Sequence, residues 1–116
     1  MSTKGPITTH VLDVSRGKPA ARIAVQLDVL GANHVWTKLG EGTTDADGRI
    51  LNLLARENFA AGQYRLTFAT AAYFQTQNLS TFYPQVQIEF MVAATNEHYH
   101  VPLLLSPFGY STYRGS

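Results

Sequence analysis

The richest chemistry in this chain lies between His98 and Ser116, where His98-Tyr99-His100 opens a strand-like run and Tyr113-Arg114-Gly115-Ser116 closes the sequence. Imidazoles two positions apart share one face of a strand, and a third, His10, stands in the strand-like run Ile7 to Asp13. A terminus ordinarily frays and carries polar filler; this segment instead offers a guanidinium, a hydroxyl and a carboxylate, a combination suited to binding and acid–base work. Cysteine is absent, so disulfides, thiolate nucleophiles and thiolate metal sites are excluded, and a covalent nucleophile would be Ser, Thr, Lys or a carboxylate. His98 and His100 have the spacing of a metal pair, with no third ligand identifiable. Asp45-Ala46-Asp47-Gly48 opens like a calcium loop, but Arg56 stands where the closing glutamate belongs. Ser106 and Ser111 lie in no Gly-x-Ser-x-Gly elbow. Asn78-Leu79-Ser80 fits a glycosylation acceptor, which matters only in an exported chain. His34 and His98 are expected at the surface.

The elements that must position these groups are strands. Ile23, Val25, Leu27 and Val29 alternate with Ala24, Gln26 and Asp28; Tyr64, Leu66 and Phe68 with Arg65 and Thr67; Val86, Ile88, Phe90 and Val92 with Gln87, Glu89 and Met91. Turn chemistry separates them at Gly17-Lys18-Pro19, Gly31-Ala32-Asn33, Asp47-Gly48, Ala61-Gly62-Gln63 and Ser106-Pro107. Asp47-Gly48 reads as a tight hairpin, since glycine accepts the positive φ that such turns require. Thr70 to Asn78 is the one short helix expected. Trp36, Tyr73, Phe74 and Tyr83 are expected to pack. The pattern predicts an all-β, two-sheet sandwich of about eight strands with one helix, and a single domain over residues 1–116.

Alternation also sorts the histidines. Ile7, Thr9, Val11 and Asp13 form one face of the first run, with Thr8, His10 and Leu12 on the other. Tyr99, Val101, Leu103 and Leu105 make the better core face of the later run, leaving His98, His100, Pro102 and Leu104 outward. A half-apolar outward face bearing imidazoles predicts contact with another surface.

The 116 residues carry a net charge of +1 with charged residues scattered, which gives no footprint for nucleic acid or an anionic membrane. No apolar run approaches the roughly twenty residues of a membrane span, and Met1 to Pro6 lacks the apolar centre of a signal peptide. A cytoplasmic location is the expectation; no Ser-Lys-Leu address is present.

Four segments, taken in order, carry a resemblance: Thr8-Thr9-His10-Val11-Leu12-Asp13 with Gly17-Lys18-Pro19-Ala20; Asp47-Gly48-Arg49; Tyr99-His100-Val101-Pro102-Leu103-Leu104-Leu105-Ser106-Pro107; and Tyr110-Ser111-Thr112-Tyr113-Arg114-Gly115-Ser116. Together they resemble the 5-hydroxyisourate hydrolases, the transthyretin-related enzymes of urate breakdown, over essentially the whole chain. The resemblance implies a transthyretin-like sandwich that pairs edge to edge into dimers, two of which stack as a homotetramer around a channel. It implies hydrolysis of 5-hydroxyisourate to 2-oxo-4-hydroxy-4-carboxy-5-ureidoimidazoline, with no metal and no cofactor. The family's catalytic positions fall on His10, Arg49 and His100, and its substrate-binding terminal motif on Tyr113, Arg114, Gly115 and Ser116. Neutral imidazole suits deprotonation of water, a task assigned to His10 or His100 as a pair, with His100 preferred and the other left to orient substrate or shuttle a proton. Arg49 suits a carbonyl oxygen gaining charge. The competing expectations are a transthyretin-like tetramer that binds an aromatic ligand without turnover, and a sandwich whose outward His and Leu only cement an assembly.

Overall fold

A computed structural model describes residues 4–116. Nine strands, one 3₁₀ turn and one α-helix run in the order β1 (Ile7–Asp13), β2 (Lys18–Pro19), β3 (Ala24–Leu30), β4 (Trp36–Thr43), β5 (Arg49–Ile50), the 3₁₀ turn (Arg56–Asn58), β6 (Gly62–Phe68), α1 (Thr70–Gln75), β7 (Val86–Val92), β8 (Tyr99–Ser106) and β9 (Gly109–Thr112). One sheet has the order β2-β1-β8-β9, with β5 also on β1; the other has the order β4-β3-β6-β7. Alternation drives the arrangement. The apolar faces picked out for β3, β6, β7 and β8 meet in one core that holds Val25, Leu27, Tyr64, Leu66, Phe68, Val86, Ile88, Val92, Tyr99, Val101, Leu103 and Leu105.

The inner strands of the first sheet, β1 and β8, run parallel, with Ile7 opposite Tyr99 and Asp13 opposite Leu105. The core face of β1 mixes apolar and polar side chains, and burial is tolerable because each polar group finds a partner. Thr9 donates to the Val101 carbonyl at 2.6 Å. Asp13, fully buried, accepts from the Tyr73 hydroxyl at 2.7 Å and from the Ser15 hydroxyl at 2.5 Å. Burial, the Asp13 hydrogen bond and its charge push the Tyr73 phenol above its ordinary pKa, so it stays protonated and donating.

Two expectations about local structure need correction. Asp47-Gly48 makes a turn, with Gly48 at φ +76°, but no hairpin: β4 belongs to one sheet and β5 pairs with β1 in the other. The Asp45 carboxylate accepts from the backbone of Asp47 and Arg49, both at 2.9 Å, so the turn is a corner between sheets. The helix stops at Gln75 rather than Asn78, because Asn78 turns to φ +58° and the Leu79 amide caps the Phe74 carbonyl at 3.0 Å.

Candidate active site

Four neighbouring backbone registers gather the candidate residues. His10 pairs with Arg49 across β1 and β5, and with Pro102 across β1 and β8. His100 pairs with Thr8 on one side and bridges to Gly115 on the other, the Gly115 amide donating to the His100 carbonyl at 2.8 Å. Residues directly opposite across strands project to the same face. His10, Arg49 and His100 therefore stand together on the outer face of the first sheet, flanked by half-buried Leu12 and Leu104, as alternation predicts.

The ring of His100 is fixed from two directions. The Thr8 hydroxyl oxygen lies 2.8 Å from its Nδ1. On the other side Gly115 is so close that a methyl group there would sit 2.6 Å from Cδ2 of the imidazole, nearer than carbon atoms approach, and a tight 3.2 Å from Pro102. Glycine leaves the ring where it stands, whereas any side chain would push it aside, which gives the Gly115 position a physical reason. Among the described residues, Nε2 of His100 has no protein partner and faces outward as the available nitrogen.

Charge at the site is positive. Burial lowers the pKa of His100 first, followed by the positive charges of His98, His10, Arg49 and Lys4. His98 is lowered as well, by burial and then by Lys4 and Arg56. Both imidazoles are thus held neutral near pH 7, and the surrounding cations favour a ligand that is anionic or becomes so. Among the described residues no group of three or more His, Asp or Glu converges as metal ligands; the His98 and His100 rings stand nearly parallel, with centroids 6.4 Å apart, and turn nitrogens toward Thr8.

The terminal motif divides. Gly115 packs on His100, and Ser116 follows it at the exposed surface. Arg114 turns elsewhere: its guanidinium lies 4.5 Å from the centroid of the Tyr99 ring and donates to Glu97 at 2.9 Å. Tyr99 belongs to the core face of β8, opposite His100, so Arg114 clamps the strand rather than joining the imidazoles. Tyr113 is exposed and lines, with Ile88 and Met91, a groove between β7 and the residues after β9. Sequence reasoning missed three contributors. Thr8 was visible only as a residue on the His10 face; His98, expected at the surface, is half-buried with Nε2 3.0 Å from the Thr8 hydroxyl; and Lys4 carried no signal. A cleft of about 730 Å³ beside Arg22, Thr44 and Tyr73 contains none of the histidines and lies apart from this chemistry.

Relatives share this architecture. The HIUase/Transthyretin family profile matches residues 7–115. A 5-hydroxyisourate hydrolase of Salmonella typhimurium is 50% identical over 110 residues, covering 95% of this chain and 80% of the relative. The solved 5-hydroxyisourate hydrolase of Klebsiella pneumoniae superposes with a TM-score of 0.85 at 37% identity, over 97% of this chain and 99% of that one. Sea bream transthyretin in complex with thyroxine superposes with a TM-score of 0.91 at 36% identity, over 95% and 94%. Backbone likeness therefore extends to a hydrolase and to a thyroxine-bound transthyretin alike, and side chains, not the backbone, must separate them. With the sandwich, its parallel inner pair and the profile match in agreement, this chain belongs to the HIUase/Transthyretin family.

Proposed function

We infer that this protein is a 5-hydroxyisourate hydrolase that opens a ring amide of its substrate with water. The observation that carries the reading is the convergence of His10, Arg49, His100 and Gly115 through adjoining strand registers, on a chain whose relatives at up to 50% identity are hydrolases of that substrate. Nε2 of His100 takes a proton from water, and the hydroxide adds to the ring carbonyl. Arg49 supports the oxygen that becomes negative. The C–N bond then breaks as an imidazolium returns the proton to the departing nitrogen, leaving a free N–H and a carboxylic acid that gives up its own proton to water near pH 7. His10, beside Arg49, orients the ring and shares this proton traffic. Arg114 acts through the strand against which it packs, and the terminal motif contributes Gly115 at the His100 ring.

The site is open on one side of a single chain, and its flank of Leu12 and Leu104 is suited to being covered. A homotetramer built as a dimer of dimers supplies that cover. In each sheet the strand on this side, β7 or β9, ends its sheet without a partner, and exposed edges of this kind are prone to pair with another copy. Stacking two such dimers through the β1–β8 face would enclose the imidazoles in a channel.

The direct test follows the decay of freshly generated 5-hydroxyisourate with and without protein. Wild type should accelerate it, and His10→Ala, Arg49→Ala and His100→Ala should each lose at least about a hundredfold in turnover. No acceleration by well-folded wild-type protein would favour a ligand-binding role instead.

A further inference from the structure

Thr8 is almost fully buried, at 1% exposure, yet its hydroxyl is engaged by two imidazoles at once: Nδ1 of His100 at 2.8 Å and Nε2 of His98 at 3.0 Å. A hydroxyl has one proton to donate and lone pairs to accept with. Two bare ring nitrogens cannot both be satisfied by that single proton, so when the hydroxyl donates to one ring, the other must present an N–H to the oxygen. Which way this chain is polarised decides which nitrogen of His100 is basic, since the partner of one ring nitrogen sets the state of the other.

We infer that Thr8 is a positioning residue which, by donating its proton to Nε2 of His98, accepts the Nδ1–H of His100 and so keeps Nε2 of His100 bare toward the substrate. This rests on the reading of His100 as the base. The opposite polarity would put the proton on Nε2, the only ring nitrogen of His100 that faces outward, and leave it nothing with which to deprotonate water. The same arrangement serves after proton capture, because the imidazolium keeps its Nδ1–H on the Thr8 oxygen and is stabilised there. The low pKa of both imidazoles, set first by burial, agrees with two neutral rings joined through one hydroxyl. Gly115 bears on the opposite side of the His100 ring, so the hydroxyl and the glycine together fix both rotation and tautomer. His98 thereby gains a task that its place in the sequence did not suggest.

Nitrogen-15 NMR of protein labelled in histidine reads the tautomer without any assay of activity, with His98→Gln and His100→Asn spectra providing assignments. In wild type near pH 7.5, His100 should carry its proton on Nδ1 and His98 should be bare at Nε2. Thr8→Val, nearly the same shape, should shift His100 toward the Nε2–H form and lower kcat roughly tenfold, part of what a general base contributes, with KM little changed. Thr8→Ser should restore both spectrum and rate. His100 protonated at Nε2 in wild type, or a Thr8→Val spectrum identical to wild type, would overturn the inference, and the wild-type spectrum decides alone should Thr8→Val fail to fold. The expected tautomer in a protein without hydrolase activity would uphold the hydrogen-bond lock and sink the enzymatic reading instead.

Discussion

The base catalysis proposed for His100 requires the neutral ring, and its surroundings favour that form. Burial is the first cause, with the cationic neighbourhood of His98, His10, Arg49 and Lys4 behind it. Because the pKa is depressed, the working form persists as pH falls below the ordinary imidazole value of about 6.5. The acid limb of kcat/KM should therefore be centred below about 6.5 and should move upward in His98→Gln, which removes a neighbour whose protonation opposes that of His100. A limb at or above 6.5 in wild type would assign the base to another group. At this scale the sequence was legible wherever one residue does one thing. His10 and His100 announce themselves by face and by motif, whereas Thr8 matters only through partners about ninety positions away, a relation that no local pattern expresses. Arg114 shows the converse, since its place in a terminal motif does not disclose that its side chain turns to Tyr99 and Glu97.

Elements position these residues through a few polar ties across the core. The Tyr73 hydroxyl links α1 to the buried end of β1 by its 2.7 Å bond to Asp13, and β1 carries both Thr8 and His10. Tyr73→Phe leaves one oxygen of a fully buried carboxylate without its donor and should cost about 1–3 kcal/mol of stability. Urea denaturation measures this directly, and an unchanged midpoint would show that the tie contributes nothing. Alternation made the long strands legible, because one face of each is nearly all apolar. It could not reveal β2 and β5, which have two residues each and exist only because β1 offers backbone groups to pair with. Nor could Asp47-Gly48 disclose that it turns between sheets instead of within one, since the local backbone conformation serves either purpose. The helix end was lost for a similar reason: Thr76 and Gln77 are acceptable in a helix, and the stop comes from the left-handed turn at Asn78.

For the whole molecule, the open face of the first sheet is the feature that calls for a partner. Leu12 and Leu104 are in register across β1 and β8, beside the imidazoles, so a charge there should act on assembly before it acts on folding. On the proposed tetramer, Leu104→Glu is expected to give a dimer in sedimentation velocity, keep the far-ultraviolet circular dichroism of wild type, and lose turnover with the proposed channel. An active dimer would show that one sheet face suffices, and a wild-type monomer would remove the channel altogether. The two-sheet architecture and its outward histidines were legible in the sequence because they follow from alternation alone. The pairing of β1 with β8 was not, because parallel strands so far apart leave no mark on the intervening residues.

That pairing has a further consequence. Residues 4–49 supply Lys4, Thr8, His10 and Arg49, and residues 98–115 supply His98, His100 and Gly115, while the stretch between them holds β6, α1 and β7. Neither portion alone contains the proposed constellation: the first has a guanidinium and one imidazole without the proposed base, the second has that base without the hydroxyl proposed to aim it. The proposed site is thus a seam between two stretches far apart in sequence, and it comes into being only when they are sewn together.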